Sequence, residues 1–205
     1  MSEIFWPIID IEYVDAYPWV IVPPRSSVSA PFEEWDDMHA WCRERAEDLW
    51  ADRELVPGPN GVAFVAETLA RCAESLCPPE SEHWLFLHLD HPLDDPLPVC
   101  AAIGPAREPR EATLRALTEA DDTTAVEPPV VKTFSSPHLG EGMTTFRYVT
   151  QEDSPHLAAC ARYAWQVEEH GADVVVWTAT EDIARILSAA EDVEELARSL
   201  AVFVP

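Results

Sequence analysis

Between residues 130 and 178 the chain offers four β-rich segments in succession, with turn residues and no helical period between them. They are Val130–Phe134, Met143–Val149, Leu157–Val167 and Asp173–Thr178. In the third, Ala161, Tyr163, Trp165 and Val167 alternate with Cys160, Arg162, Ala164 and Gln166, which gives the strand two distinct faces. Glu168–Ala172, with Gly171, supplies a hairpin turn. Strands joined this closely have no room for crossover connections, so they pair antiparallel as a meander. A closing helix is expected to follow. Thr180 is read as its N-cap, with Glu181 and Asp182 in the first turn. Ile183, Ile186, Leu187, Ala190, Val193, Leu196 and Leu200 make its apolar face, with a kink near Ala190.

The first half is organised differently. Residues 4–22 are apolar but cut by Pro7 and Pro18, and read as two short edge pieces, Ile8–Val14 and Trp19–Val22. A helix is predicted over 31–54, with Pro31 in its first turn and acids near its positive end. Trp35, Met38, Cys42, Ala46 and Leu49 form its apolar stripe, broadened by Trp41 and Trp50. The turn Pro57–Gly61 leads into a second helix with Val62, Val65, Leu69, Cys72 or Ala73, and Leu76 on one side, stopped by Pro78 and Pro79. His83–Asp90 is apolar on both faces and reads as a central strand, with Leu97–Ile103 as its antiparallel partner. A short helix is expected over Pro109–Ala120. The fold class that follows is α+β. An antiparallel sheet carries helices on its faces, as an α/β/α-like sandwich, with an N-terminal αα-hairpin. Residues 1–205 are read as a single domain, with a sub-boundary at the acidic, Pro-containing stretch 121–129 between 1–120 and 130–205.

Charge limits the partners. The formal net charge is −25, from 38 acidic and 13 basic residues. Phosphate backbones and anionic membranes repel such a surface, so nucleic acid and membrane are not expected partners. A basic or apolar protein is. The basic residues are Arg except for Lys132, and this bias resembles that of actinobacterial proteins from GC-rich genomes. The opening Met1–Trp6 lacks the basic and apolar regions of a signal peptide, so a cytoplasmic location is expected. The five cysteines (42, 72, 77, 100 and 160) form no C-x-x-C pair and are read as reduced thiols, with Cys77 the more exposed.

Local motifs give little chemistry. There is no P-loop, no G-x-G-x-x-G and no G-x-S-x-G. His83, His88, Asp90 and His91 are the densest group of potential ligands, but a strand puts His88 and Asp90 on one face and His83 and His91 on the other. A site built on His88 and Asp90 would need a third group such as His138 or His156. His138–Gly142 reads as a β-turn, and Glu168, Glu169, His170 and Asp173 as a solvated hairpin tip. No catalytic residue, metal ligand or cofactor is assigned. The strongest surface candidate is the aromatic group Phe32, Trp35, Trp41 and Trp50 with its neighbours Asp36 and Asp37, an apolar patch edged with acid.

The meander followed by Thr180–Val204, with its ending Asp192–Val202, resembles the Mog1/PsbP-like fold group over about 75 residues. That resemblance implies a non-catalytic partner binder, because most members of the group act so. It transfers no site residue, and the paired helices at 31–76 depart from the simplest form of the group. The expected function is therefore a non-enzymatic cytosolic protein-binding module: an adaptor, an effector chaperone or an immunity protein. Two alternatives remain, a hydrolase or metal-dependent enzyme around His88, Asp90 and His138, and an acidic nucleic-acid mimic.

Overall fold

The computed structural model describes residues 8–11 (backbone), 18–25, 33–150 and 156–203. The architecture is α+β, with a seven-stranded antiparallel sheet of order β2-β3-β4-β8-β7-β6-β5. Its strands are β2 (Trp19–Val22), β3 (Trp84–His88), β4 (Leu97–Pro105), β5 (Val130–Ser136), β6 (Gly140–Thr150), β7 (Leu157–Val167) and β8 (Ala172–Thr180). A separate two-stranded sheet pairs β1 (Ile8–Ile11) with β9 (Leu200–Phe203). Among the described residues are five α-helices: α1 (Met38–Asp52), α2 (Gly61–Leu76), α3 (Arg110–Leu117), α4 (Ile183–Ser188) and α5 (Ala190–Ser199). The chain divides into two compact units, Met1–Val14 with Ala101–Pro205, and Asp15–Cys100. Residues 121–129 lie inside the first unit, where Val126 N–H donates to Tyr148 O at 2.8 Å.

In the first unit the register gives the sheet two unlike faces. Thr145 pairs with Arg162, Arg147 with Cys160, and Gln166 with Asp173, so these polar side chains share one face. Helix α3 lies against that face: Thr145 Oγ1 donates to Thr118 O at 2.6 Å, and Arg162 to Leu117 O at 3.2 Å. The opposite face carries Phe134, Tyr163, Trp165, Val174 and Val176, all buried. Helix α5 covers its edge: Ser136 Oγ donates to Arg198 O at 3.1 Å, and the Arg198 guanidinium sits 4.7 Å over the Phe134 ring. Leu196 and Leu200 are wholly buried here, and such burial contributes roughly 2 kcal/mol per side chain. Gly142 is fixed by close approach, since a Cβ there would overlap Ala164 O and stand 2.6 Å from Trp165 Cδ1.

The end of the chain departs from the sequence expectation. Asp182, not Thr180, caps α4, accepting from Arg185 N–H at 3.0 Å, while Thr180 Oγ1 accepts from Asp182 N–H. The helix starts at Ile183, so the residue before it is the cap and Thr180, two residues earlier, reaches only the Asp182 amide. The kink expected near Ala190 is a full break at Ala189, and it is Leu200 that departs, beginning β9 instead of extending the helical face. The extended pairing with β1 claims the backbone of Leu200–Phe203, a long-range gain that helical periodicity does not report.

In the second unit β2 pairs antiparallel with β3, from Trp19 opposite His88 to Val22 opposite Leu85. Leu85, Phe86, Leu87 and His88 are all buried, as a two-sided apolar run requires. Helix α1 starts at Met38, later than the sequence suggests, because Asp37 Oδ1 accepts from Ala40 N–H at 3.1 Å and Glu33–Trp35 form only a short 3-10 turn. Pro31 and Phe32 lie outside the described residues.

Helices α1 and α3 end alike. After α1, Glu54 N–H donates to Ala51 O at 2.9 Å and Leu55 N–H to Trp50 O at 3.0 Å; after α3, Glu119 N–H donates to Ala116 O at 3.2 Å and Ala120 N–H to Arg115 O at 2.9 Å. Both are Schellman closures, and a glutamate takes the left-handed position usually held by glycine, each at φ 52.

Candidate interaction surface

Between residues 33 and 77 lie eleven acidic and four basic side chains; the αα-hairpin itself, 38–76, holds seven of the acids and all four bases, and the other four acids sit in the segment leading into α1. Helix α1 buries Met38, Cys42, Ala46, Leu49 and Trp50, while α2 buries Val65, Thr68, Leu69, Ala70 and Ala73. The 3.6-residue period then turns Glu44, Glu47 and Asp52 outward on α1 and Glu67 and Glu74 outward on α2. Arg45 is drawn to Glu44 and Asp48, at 2.9 Å from each, which leaves the surface strongly negative.

The candidate aromatic residues do not form one exposed patch. Trp35 is half-buried: its Nε1–H donates to Pro23 O at 3.0 Å and the Arg25 guanidinium covers its ring at 4.4 Å. Trp41 is half-buried on α1. Trp50 is only 6% exposed, so it belongs to the core of the unit. Asp36 and Asp37 are exposed, and Asp37 serves as the helix cap. The position of Trp50 in the last turn of α1 explains the difference: the chain folds back over it through Pro57–Gly61.

That fold-back creates a surface the sequence pattern did not mark. The Trp50 ring meets the His91 ring edge-on with centroids 5.9 Å apart, and a Cβ on Gly61 would lie 3.0 Å from Trp50 Cζ2. Leu55 is tied to Trp50 O, and Leu93 N–H donates to His91 Nδ1 at 3.1 Å. The α1–α2 connection, the start of α2 and the β3–β4 loop are thus gathered round one indole. Their outer side chains, Leu55, Val56, Phe64 and Leu93, are exposed, with Val56 at 90%. Four scattered apolar residues on two loops and a helix have no common period, which is why no sequence pattern announced them.

The proposed ligand residues are placed as follows. His88 is buried on β3, with Nε2 3.9 Å from Asp90 Oδ1 and its ring edge-on to Trp19 at 4.8 Å. His83 Nε2 is 2.9 Å from Leu76 O. His138 is exposed on the β5–β6 turn, in the other unit from His88 and Asp90. At the β7–β8 hairpin Glu168 and Glu169 are exposed, but Asp173 is buried, contrary to a solvated tip. It accepts from Gln166 Nε2 at 3.0 Å and from Arg107 N–H at 3.1 Å, anchoring the segment before α3. Cys77 is also buried, and Cys72 is the half-buried thiol. A turn at Pro78–Ser81, closed by Ser81 N–H to Pro78 O at 2.9 Å, and Arg25 donating to Cys77 O at 3.2 Å hold this end of α2 in the fold.

The first unit contains an ionic cluster that reasoning along the chain also missed. Arg147, 7% exposed, pairs with Glu119 and lies 3.0 Å from Asp122, while Arg162 lies 2.7 Å from Glu119. Burial lowers the pKa of both arginines. Hydrogen bonds from Thr124 hold Asp122 below the ordinary carboxylate range. A cleft of about 790 Å³ opens beside it, lined by α3 residues with Asp121, Thr124 and Val149. Each guanidinium faces a carboxylate and a helix-terminal carbonyl, which suits fastening α3 to the sheet. Alternation in β7 set Arg162 on one face with Cys160, Ala164 and Gln166 and was the available signal.

The described residues therefore define an α+β protein with an acidic helical hairpin and an internally paired sheet face. No family model matches the chain, and no curated protein does. Among solved structures, the crystal structure of LpqN, involved in cell envelope biogenesis of Mycobacterium tuberculosis, is similar at 12% identity and a TM-score of 0.47. The alignment covers all of this chain and 87% of that one, a likeness too distant to fix fold or function. No helix among the described residues is long and apolar enough to cross a membrane.

Proposed function

We propose that this chain is a non-enzymatic, cytosolic protein-binding module, acting as an adaptor, effector chaperone or immunity protein, and that its αα-hairpin receives a basic or apolar partner. The observation that carries the reading is the acidic excess of the hairpin and the segment leading into it, eleven acids to four bases over 33–77, standing beside exposed apolar side chains. Such a surface steers a cationic partner and then desolvates it. The ionic cluster of the first unit supports the same reading, because Arg147 and Arg162 each pair with Glu119 and bond the end of α3. The resemblance of the C-terminal stretch to the Mog1/PsbP-like group points the same way.

The test is affinity capture from the native host with the wild type and with a hairpin variant, Glu44→Gln/Glu47→Gln/Asp52→Asn. A stoichiometric partner that binds the wild type, is lost in the variant and elutes with salt supports the reading. No stoichiometric partner, or equal capture by both proteins, refutes it.

A further inference from the structure

The geometry points to the tip of the hairpin, the apolar knuckle of Leu55, Val56, Phe64 and Leu93 built over Trp50, as the docking site for a cationic amphipathic helix of the partner; this rests on the binding reading above. Three independent features converge there. First, the four apolar side chains are 38%, 90%, 53% and 50% exposed, although each sits on a segment fixed to Trp50 or its neighbours. Large apolar groups held rigidly in water are the usual mark of an interface. Second, the indole Nε1 of Trp50 is buried without a hydrogen-bond partner among the described residues, beneath the Gly61 end of α2. It shares this with Trp165 Nε1 and four other buried side-chain atoms, so what it adds is its place directly beneath the exposed side chains. Third, Glu54 holds the left-handed position at φ 52, while its side chain is exposed and, unlike that of Glu119, makes no ion pair with a described residue. The Schellman hydrogen bonds hold that conformation, so the Glu54 carboxylate stays outward and open to a cationic group.

Charge selects the occupant. The residues flanking the knuckle in the chain are mostly acidic: Asp52, Glu54, Glu67, Asp94 and Asp95, all exposed or half-exposed, against the exposed Arg53, whose guanidinium donates to Asp90 O. An apolar centre within an acidic rim complements a helix with an apolar stripe flanked by Lys or Arg. A second copy would bring two acidic rims together, and an anionic bilayer would meet the same repulsion. Pro57 and Pro59 stiffen the connection, so little ordering is lost on docking.

The experiment is a fluorescence-anisotropy titration of a labelled Leu/Lys amphipathic helical peptide at low salt. The proteins are the wild type, Val56→Asp/Phe64→Asp at the tip, and Glu44→Gln/Glu47→Gln on the flank. Both variants change exposed side chains, and circular dichroism melts confirm that they stay folded. The expected result is saturable wild-type binding, weakened about tenfold or more in the tip variant and about twofold in the flank variant. Binding that survives in the tip variant but falls in the flank variant overturns the docking site and leaves the hairpin as the binding element. No wild-type binding overturns both. Sedimentation that shows self-association abolished by the tip variant, or wild-type binding to zwitterionic vesicles abolished by it, assigns the knuckle to another occupant and overturns the proposal.

Discussion

Replacing Glu54 and Glu119 by glycine separates backbone strain from ionic compensation, because the two residues share one conformation and differ in what their carboxylates do. Each sits at φ 52 behind a helix closed by the same pair of hydrogen bonds. A non-glycine residue there costs about 1–2 kcal/mol, and glycine returns that strain while giving the unfolded chain about 0.5–1 kcal/mol of extra freedom. Glu54→Gly loses no ion pair, so a net stabilisation of roughly 0.5 kcal/mol is expected, a rise of about 1–2 °C in Tm. Glu119→Gly gains the same backbone relief but removes the carboxylate between Arg147 and Arg162. Charge-assisted bonds of this kind contribute about 1.5–3 kcal/mol. The Glu119 side chain is 37% exposed, so screening places its value toward the lower end. Asp122 continues to neutralise Arg147. The net expectation is a loss of roughly 1 kcal/mol, or about 2–4 °C in Tm. Glu119→Gln, which keeps the strain and loses the charge, should fall below Glu119→Gly. Scanning calorimetry of the three variants and the wild type at low ionic strength decides. Equal shifts at positions 54 and 119 would refute the assignment of Glu119 as a strained residue retained for its bridge.

Three further outcomes are expected. Asp122 is held below the ordinary 3.8 by Thr124 and Asp121 by Arg115, so their stabilisation is complete above 3.8 and is lost as pH falls through the depressed values. The charge of −25 is relieved toward the pI of about 4.3, so Tm measured across pH should rise from 7 toward 4.3 and drop below 3.8; a monotonic fall from neutrality would contradict this. Burial pushes Cys42 and Cys100 up to about 12 and Cys77 to about 11, and raises Cys72 and Cys160. With dithiobis(nitrobenzoate) at pH 8, half-buried Cys72 should react first and the other four only after denaturation, as mass spectrometry of the labelled sites will show. Gly142→Ala should lower stability by about 2 kcal/mol or more in urea titration, because its Cβ meets backbone on one side and the wholly buried Trp165 on the other; an unchanged midpoint would mean that β6 and β7 can separate there.

The meander and the hairpin were legible because each rests on a local period. Alternation in 157–167 marked β7, and spacings of three and four marked the buried stripes of α1 and α2. What lay beyond reach was non-local. Leu200 continues a helical stripe perfectly well, yet its backbone is taken by β1 almost the whole chain away. Trp50 continues the aromatic stripe but is covered by a turn that only the folded hairpin brings over it. Arg147 reads as an ordinary strand residue until its register with Cys160 sets it beneath the end of α3. The knuckle fails the same way, since Val56 and Leu93 belong to separate loops and only their common neighbour, Trp50, joins them.

Hydrogen exchange followed by mass spectrometry, on this chain with and without its captured partner, tests the binding account most directly. Slowed exchange over residues 50–64 and 90–95, with 110–150 unchanged, is the predicted pattern. Protection concentrated at α3 and the β5–β6 strands, with the hairpin exchanging as in the free protein, would contradict it.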